Sequence, residues 1–111
     1  MIDWSRIKIL RDEIGADDID EVVEIFLEEV EETIADLPNA SSSEDFERGY
    51  HALKGSALNL GFSAFSALCQ QGETAAAAGQ TDVVSIAQLD ECYTASKASF
   101  LEGYSSLAKA G

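Results

Sequence analysis

Apolar residues recur every three or four positions along almost the whole 111-residue chain, which is the spacing of one face of an α-helix. No segment alternates apolar and polar residues between hairpin turn signals, as a β-sheet would require. The length suits one domain, residues 1–111, that buries a core of its own. The sequence therefore predicts an all-α protein.

Breaks in the helical spacing divide the chain into one short helix and four long ones. We predict helices over residues 5–14, 18–37, 44–60, 63–78 and 82–107. Asp3 and Asp17 are the predicted N-caps of the first two helices, and Gly15 is a stop signal between them. Four long amphipathic helices with short connections pack most simply as an up-and-down antiparallel four-helix bundle. The short N-terminal helix would lie across one end.

Each predicted helix has one apolar face, and these faces form the predicted core. In chain order they contain Trp4, Ile7, Leu10 and Ile14; Ile19, Val22, Val23, Phe26, Val30, Ile34 and Leu37; Phe46, Tyr50, Leu53, Ala57 and Leu60; Phe65, Cys69, Gly72, Ala76 and Gly79; and Ile86, Leu89, Tyr93, Phe100, Tyr104 and Leu107. The fourth face consists mostly of small residues, so a neighbouring helix can approach it closely.

The charge is strongly acidic and unevenly distributed. Asp and Glu number 21 against 7 Lys and Arg, a net charge of -14, which argues against nucleic acid or an anionic membrane as a partner. Residues 12–47 hold 15 of the acids and no base, whereas the other 75 residues hold 6 acids and 7 bases. This stretch is either a solvated helix face or a surface that steers a basic partner.

The composition also limits the compartment and the metal chemistry. The N-terminus is not a secretory signal, and no run approaches the roughly 18 apolar residues that span a bilayer. Cys69 and Cys92 lie within helical patterns rather than a disulfide framework, so we expect a cytoplasmic protein. One histidine and two distant cysteines cannot close a zinc site. A di-metal carboxylate site needs Glu three residues before a histidine, where this chain has Arg48. We therefore expect no metal site.

The only histidine, His51, lies about 140° around its helix from the centre of the apolar face, so we expect it to face solvent. A lone histidine on a helix is usually an ordinary surface residue. Here, however, Arg48 and Lys54 flank it at three residues on either side, and both are scarce bases in an acidic chain. Histidine is a competent nucleophile, and the two cations would offset an added phosphoryl group. Gly55 would leave room for a partner, and Leu58 adds an apolar residue to the same face.

The string His51-Ala52-Leu53-Lys54-Gly55-Ser56-Ala57, followed by Leu60-Gly61 and Leu68-Cys69, resembles the signature of histidine-containing phosphotransfer (HPt) domains. The second helix, with Phe26-Leu27-Glu28-Glu29, is also similar to the family, so the resemblance covers most of the chain. Its most specific part is a histidine with Lys and Gly at +3 and +4 and Gly at +10.

The resemblance implies a role for each matching residue. His51 would accept a phosphoryl group, Lys54 would assist electrostatically, and Gly55 would make room for the partner. Glu73, at +22, stands where the family often has Gln or Glu that hydrogen-bonds the imidazole. The sequence departs from the family at Gly72, where a large apolar residue is more usual.

The resemblance implies a phosphocarrier of a two-component phosphorelay rather than an enzyme. It would accept the phosphoryl group from a receiver-domain aspartate and pass it to another receiver domain. Its partners would be response-regulator receiver domains and a (hybrid) histidine kinase. We expect no cofactor of its own, because Mg²⁺ would belong to the receiver and the chain lacks Walker A and G-x-G-x-x-G motifs. We further expect a freestanding monomer, although an excised piece of a kinase would look similar.

Two other interpretations remain open at the level of sequence. The chain could be an acidic helical interaction module whose function lies in residues 12–47, and salt would then weaken its binding. It could also be an enzyme with His51 as general base, but no partner residues for such a site are evident in the sequence.

Overall fold

The computed structural model describes the backbone of residues 2–110 and the side chains of residues 2–104. It contains five α-helices: α1 (Trp4–Ile14), α2 (Ile19–Asp36), α3 (Ser43–Asn59), α4 (Ser63–Ala77) and α5 (Ile86–Ala110). A 3-10 turn, Leu37–Asn39, follows α2. In the described range the only extended pairing is an isolated bridge between Ile2 and Phe62, so the all-α prediction is confirmed. None of the described helices is both long and apolar enough to cross a membrane.

Side-chain pairs give the directions of the long helices. Between α3 and α4, His51 contacts Glu73 and Lys54 contacts Gln70, so residue numbers rise on one helix as they fall on the other. Between α2 and α5, Tyr104 bonds Asp20 whereas Lys97 bonds Glu31. Both helix pairs are therefore antiparallel, as predicted for an up-and-down bundle.

The N-terminal helix begins against the turn that joins α3 to α4. The backbone N–H of Asp3 donates to the carbonyl of Gly61 at 2.7 Å, and Trp4 stacks on Phe100 of α5 with ring centroids 5.7 Å apart. Gly61 has a φ of +71°, and a Cβ there would collide with the carbonyl oxygen of Asp3. These contacts fix the turn that sets α3 beside α4.

Helix α2 differs from its prediction at its start and on its apolar face. Asp17 is not the N-cap: the helix begins after Asp18, and the Gly15 carbonyl accepts from the N–H groups of Asp18 and Ile19 at 3.2 Å. The carbonyl of Gly15 thus accepts hydrogen bonds from N–H groups at the start of α2, where a side-chain cap was expected. Leu27, which the predicted face omitted, is buried. Val22 is only partly buried.

Helices α3 and α4 pack closely because Gly72 faces a tyrosine. A Cβ at Gly72 would lie 2.5 Å from the Tyr50 ring, and Tyr50 itself is 2 % exposed. The Tyr50 ring, on α3 next to His51, thus fills the space that a larger side chain at position 72 would occupy. Gly79 does not belong to this face, because it lies exposed beyond the end of α4 with a φ of +81°.

The predicted start of the last helix at Asp82 is wrong by four residues. Ser85 caps α5 through its hydroxyl, which accepts from the N–H of Gln88 at 3.0 Å. Before it, Val84 is buried and its carbonyl accepts from the Tyr50 hydroxyl at 3.2 Å. This tertiary contact outweighs the local helical pattern. Leu89, Tyr93 and Phe100 are buried as predicted, Ile86 and Tyr104 pack against the core, and Leu107 lies outside the described side chains.

Candidate functional site

His51 lies on the outer face of α3, directly after a core residue. The adjacent Tyr50 and Leu53 are buried, which fixes the rotation of α3 about its axis. The His51 side chain is consequently 71 % exposed. The predicted orientation toward solvent is confirmed.

A carboxylate from α4 holds the histidine ring. Nδ1 of His51 lies 2.9 Å from Oε2 of Glu73. Because an ionised carboxylate only accepts hydrogen bonds, Nδ1 carries the proton in this contact. In the neutral ring the lone pair then belongs to Nε2, the nitrogen farther from the backbone. The predicted contact between His51 and Glu73 is present, and it leaves the lone pair of the neutral ring on Nε2.

Lys54 completes the cluster from the next turn of α3. Its Nζ lies 2.7 Å from Oε1 of Glu73, so the two oxygens of one carboxylate hold the lysine and the histidine. The hydrogen bond from Lys54 lowers the pKa of Glu73, desolvation opposes this effect, and the bond from His51 lowers the pKa further. Glu73 is therefore ionised at neutral pH and offsets one positive charge beside the imidazole.

The surface of α3 is open next to His51. A Cβ at Gly55 would meet nothing within 4 Å. Leu58, one turn further along α3, is 54 % exposed. The exposed ring thus lies on a helix face that also carries a bare backbone position and an exposed leucine.

A family model for the Hpt domain matches residues 21–99, from the first turn of α2 into α5. The chain belongs to the Hpt domain family. Neither the curated proteins nor the solved structures compared with it gave a match. This Hpt domain therefore has a histidine phosphotransfer role in a phosphorelay, as a phosphocarrier that works with two-component receiver domains and kinases.

Arg48 lies on the other side of the histidine, and its described ion-pair partner is Asp45. The guanidinium Nη2 is 2.5 Å from Asp45 Oδ1, and the side chain is 77 % exposed. The structure brings His51, Lys54 and Glu73 together, whereas Arg48 turns toward the start of α3. Its electrostatic role in this Hpt domain stays a prediction, as do the docking roles of Gly55 and Leu58.

Sequence reasoning missed one member of the cluster. Gln70, on α4, accepts a hydrogen bond from Lys54 Nζ through Oε1 at 2.9 Å. Its amide nitrogen donates to the Thr74 hydroxyl at 3.0 Å. The available signal was its position three residues before Glu73, which places both residues on one face of α4.

This Hpt domain has many acidic residues but no evident metal centre in the part of the chain that the structure describes. No group of three or more His, Cys, Asp or Glu side chains is placed there to hold a metal ion. The acidic residues of α2 are spread along its exposed face, whereas the carboxylate of Glu73 is bound to a lysine and a histidine.

Proposed function

We propose that this Hpt domain accepts a phosphoryl group on Nε2 of His51 from an aspartyl phosphate of one receiver domain and passes it to the aspartate of another. The observation that carries the proposal is the contact between Nδ1 of His51 and Glu73 at 2.9 Å. It supports an imidazole whose proton lies on the α4 side and whose lone pair lies on the exposed side.

In the forward step the Nε2 lone pair attacks the phosphorus atom of the aspartyl phosphate. An N–P bond forms while the bond between phosphorus and the aspartate oxygen breaks, and the partner's carboxylate leaves with the electron pair. The ring becomes cationic and keeps its proton on Nδ1, beside the negative charge of Glu73. No proton needs to leave, so the step can reverse at the aspartate of the second receiver.

Lys54 is the residue that we propose to bind the phosphoryl oxygens. Its ammonium has three N–H donors; it forms an ion pair with Glu73 and donates a hydrogen bond to Gln70. We assign a remaining donor to a phosphoryl oxygen, with Arg48 contributing at longer range. A charge-assisted hydrogen bond of this kind is stronger where the partner excludes water.

The partner we propose is a receiver domain that docks over Gly55 and Leu58. The open space at Gly55 and the exposed leucine support this surface. Mg²⁺ and its acidic ligands would belong to the receiver, so this chain would need no cofactor of its own. We propose the cytoplasm as the compartment, which the free thiols of Cys69 and Cys92 support.

Phosphotransfer from a receiver domain tests the proposal directly. Incubation with a radiolabelled phosphoreceiver should label the domain with an acid-labile, base-stable phosphate, the behaviour of a phosphoramidate. His51→Gln should remove the label while the helical circular dichroism is unchanged. A fully labelled His51→Gln variant would refute the assignment. An unlabelled wild type that still binds the receiver, with affinity lost as salt rises, would instead support the acidic interaction module.

A further inference from the structure

Lys54 is held from α4 by an ion pair with one side chain and by a hydrogen bond to a second, uncharged one. Glu73 Oε1 lies 2.7 Å from the ammonium and Gln70 Oε1 lies 2.9 Å from it. We propose that Gln70 is a positioning residue for the phosphotransfer, acting through Lys54. This inference rests on the proposed function of His51 and adds a residue to which that function assigned no role.

The chemistry of the three groups fixes the orientation of the Gln70 amide. An ammonium can only donate, so the amide oxygen must face Lys54. The amide nitrogen then points along α4 to Thr74, whose hydroxyl accepts at 3.0 Å. Gln70 and Thr74 are one helical turn apart, a spacing at which side chains on a helix meet. Thr74 thus holds Gln70, and Gln70 holds the ammonium.

A second acceptor limits where the remaining donor of Lys54 can point. Lysine has a flexible four-carbon side chain and three rotatable donors. With Glu73 alone the ammonium could swing around one carboxylate oxygen, whereas two acceptors on α4 restrict both its position and its rotation. A remaining N–H is then directed away from both partners, and we assign it to the phosphoryl group on His51.

The neutrality of Gln70 has its own consequence. Lys54 and Glu73 together carry no net charge, and the incoming phosphoryl group is anionic. An amide positions the ammonium without adding negative charge. A carboxylate at position 70 would compete with the phosphoryl group for the lysine and would repel the phosphoryl group. We therefore expect Gln70→Glu to be more harmful than Gln70→Ala, although Glu is the closer match in shape.

Gln71 provides a matched control on the same helix. It is a glutamine, it is exposed, and it immediately follows Gln70, but it lies about 100° further around α4. The described hydrogen bond from Lys54 to a glutamine goes to Gln70. Variants with the same substitution at position 70 or at position 71 therefore have the same composition and net charge. They differ in whether the changed residue contacts Lys54.

The experiment measures labelling of His51 in the full chain by phosphoramidate, a small donor that needs no docking partner. Gln70→Glu should lower the labelling rate on the order of tenfold, because its negative charge competes with the phosphoryl group for Lys54 and repels that group. Gln70→Ala should lower it about threefold, and Gln71→Glu and Gln71→Ala should stay within about twofold of wild type. Thermal unfolding should be nearly unchanged in all four variants, because the substituted side chains are exposed.

Two readouts separate positioning through Lys54 from a general structural effect. In a Lys54→Ala background, Gln70→Ala should cause no further loss, because the residue through which it acts is gone. In nitrogen-detected NMR, the Lys54 ammonium signal should be observable in wild type and Gln71→Ala, and it should broaden by faster exchange in Gln70→Ala.

The inference is overturned if wild type is labelled but the position-70 variants match their position-71 counterparts. It is also overturned if the loss in Gln70→Ala persists undiminished without Lys54. A wild type that takes up no label on His51 from phosphoramidate or from a phosphoreceiver refutes the proposed function itself, and the role of Gln70 falls with it.

Discussion

Two glutamates of this bundle each pair with a lysine and with an aromatic ring, but one ring is buried and the other is exposed. Glu31 on α2 accepts from Lys97 Nζ and from the hydroxyl of Tyr93, both at 2.6 Å. Glu73 on α4 pairs with a lysine and with the ring of a histidine. The hydrogen bond from the lysine is the largest cause that lowers the pKa of each glutamate. Each cluster therefore consists of an ionised carboxylate, a lysine and a ring.

The difference lies in the ring that each carboxylate holds. Tyr93 is 4 % exposed, and burial followed by the hydrogen bond to Glu31 raises the pKa of its phenol, so it stays protonated and serves packing. His51 is 71 % exposed, its second ring nitrogen has no partner among the described residues, and a Cβ at Gly55, one turn further along α3, would meet nothing within 4 Å. A carboxylate, a lysine and a ring thus form a structural clamp in one place and a candidate reaction site in the other. Access to the ring distinguishes them.

The largest expected effect comes from closing that access. Gly55→Gln places a side chain beside the exposed ring, and transfer from a phosphoreceiver should fall on the order of 100-fold because the partner cannot reach a productive distance. Labelling by phosphoramidate should change little. The bundle should gain stability, since Gly costs about 1 kcal/mol relative to Ala in a helix. Receiver kinetics, small-donor labelling and thermal unfolding measure the three effects.

The matched control places the same side chain near the other cluster. Ala98 is an exposed residue of α5, next to Lys97, and Ala98→Gln should transfer at the wild-type rate. If Gly55→Gln transfers as fast as Ala98→Gln, the docking surface is elsewhere and access does not distinguish the two clusters.

The second prediction removes the charge from each carboxylate in turn. Glu73→Gln should lower the transfer rate about tenfold, or ~1.4 kcal/mol, because an amide can also donate to Nδ1 and so favour the tautomer with its proton on Nε2. Glu31→Gln should leave transfer within about twofold of wild type, because the described partners of Glu31 are on α5 and not in the His51 cluster. Equal losses in the two variants, measured with the same phosphoreceiver, would mean that Glu73 acts only on stability.

Much of this architecture could be predicted from the sequence because it depends on local periodicity. The faces of α3 and α4 and the outward position of His51 follow from helical spacing and the break at Gly61. The family resemblance implied the contact between His51 and Glu73, and the geometry of the hairpin supports it, since Gly61 lies ten residues after His51 and twelve before Glu73. Antiparallel helices joined at this turn bring the two residues to similar heights.

The parts that could not be predicted depend on contacts between distant segments. The delayed start of α5 follows from the burial of Val84 against α3, and the bond from Tyr50 to Val84 has no local signal. Gly72 leaves no gap in the packing because the Tyr50 ring, on the neighbouring helix, fills the space beside it. The role of Gln70 could not be inferred before the position of Lys54 was known.

A third and smaller effect tests whether the Tyr93 cluster is structural. Tyr93→Phe keeps the packed ring and removes the hydroxyl that donates to Glu31 at 2.6 Å and to the Leu27 carbonyl at 3.4 Å. The free energy of unfolding should fall by about 1 kcal/mol, the usual net value of a hydrogen bond. Transfer to His51 should be unchanged. Urea unfolding gives the first quantity, and a slower transfer by a fully folded Tyr93→Phe domain would contradict the separation of the two clusters.

The smallest expected effect is the pH dependence of stability, in which the two glutamates should behave alike. The pKa of Glu31 is lowered in the folded protein from its ordinary value of 4.5. Its contribution to stability is therefore complete above pH 4.5 and is lost as the pH falls through the folded-state pKa. Wild type should exceed Glu31→Gln by about 0.5 kcal/mol at pH 7, the usual size for an exposed pair.

This stability difference should shrink steadily below pH 4.5. The pKa of Glu73 is lowered from the same ordinary value, so wild type and Glu73→Gln should converge over the same range in urea unfolding. A difference that stayed constant to pH 3 in either variant would mean that it does not arise from the charge of the carboxylate. Convergence in both variants would show that stability does not distinguish the clusters, because a lysine favours the ionised form of each carboxylate. Only transfer to His51, whose ring is exposed, should then depend on which glutamate is changed.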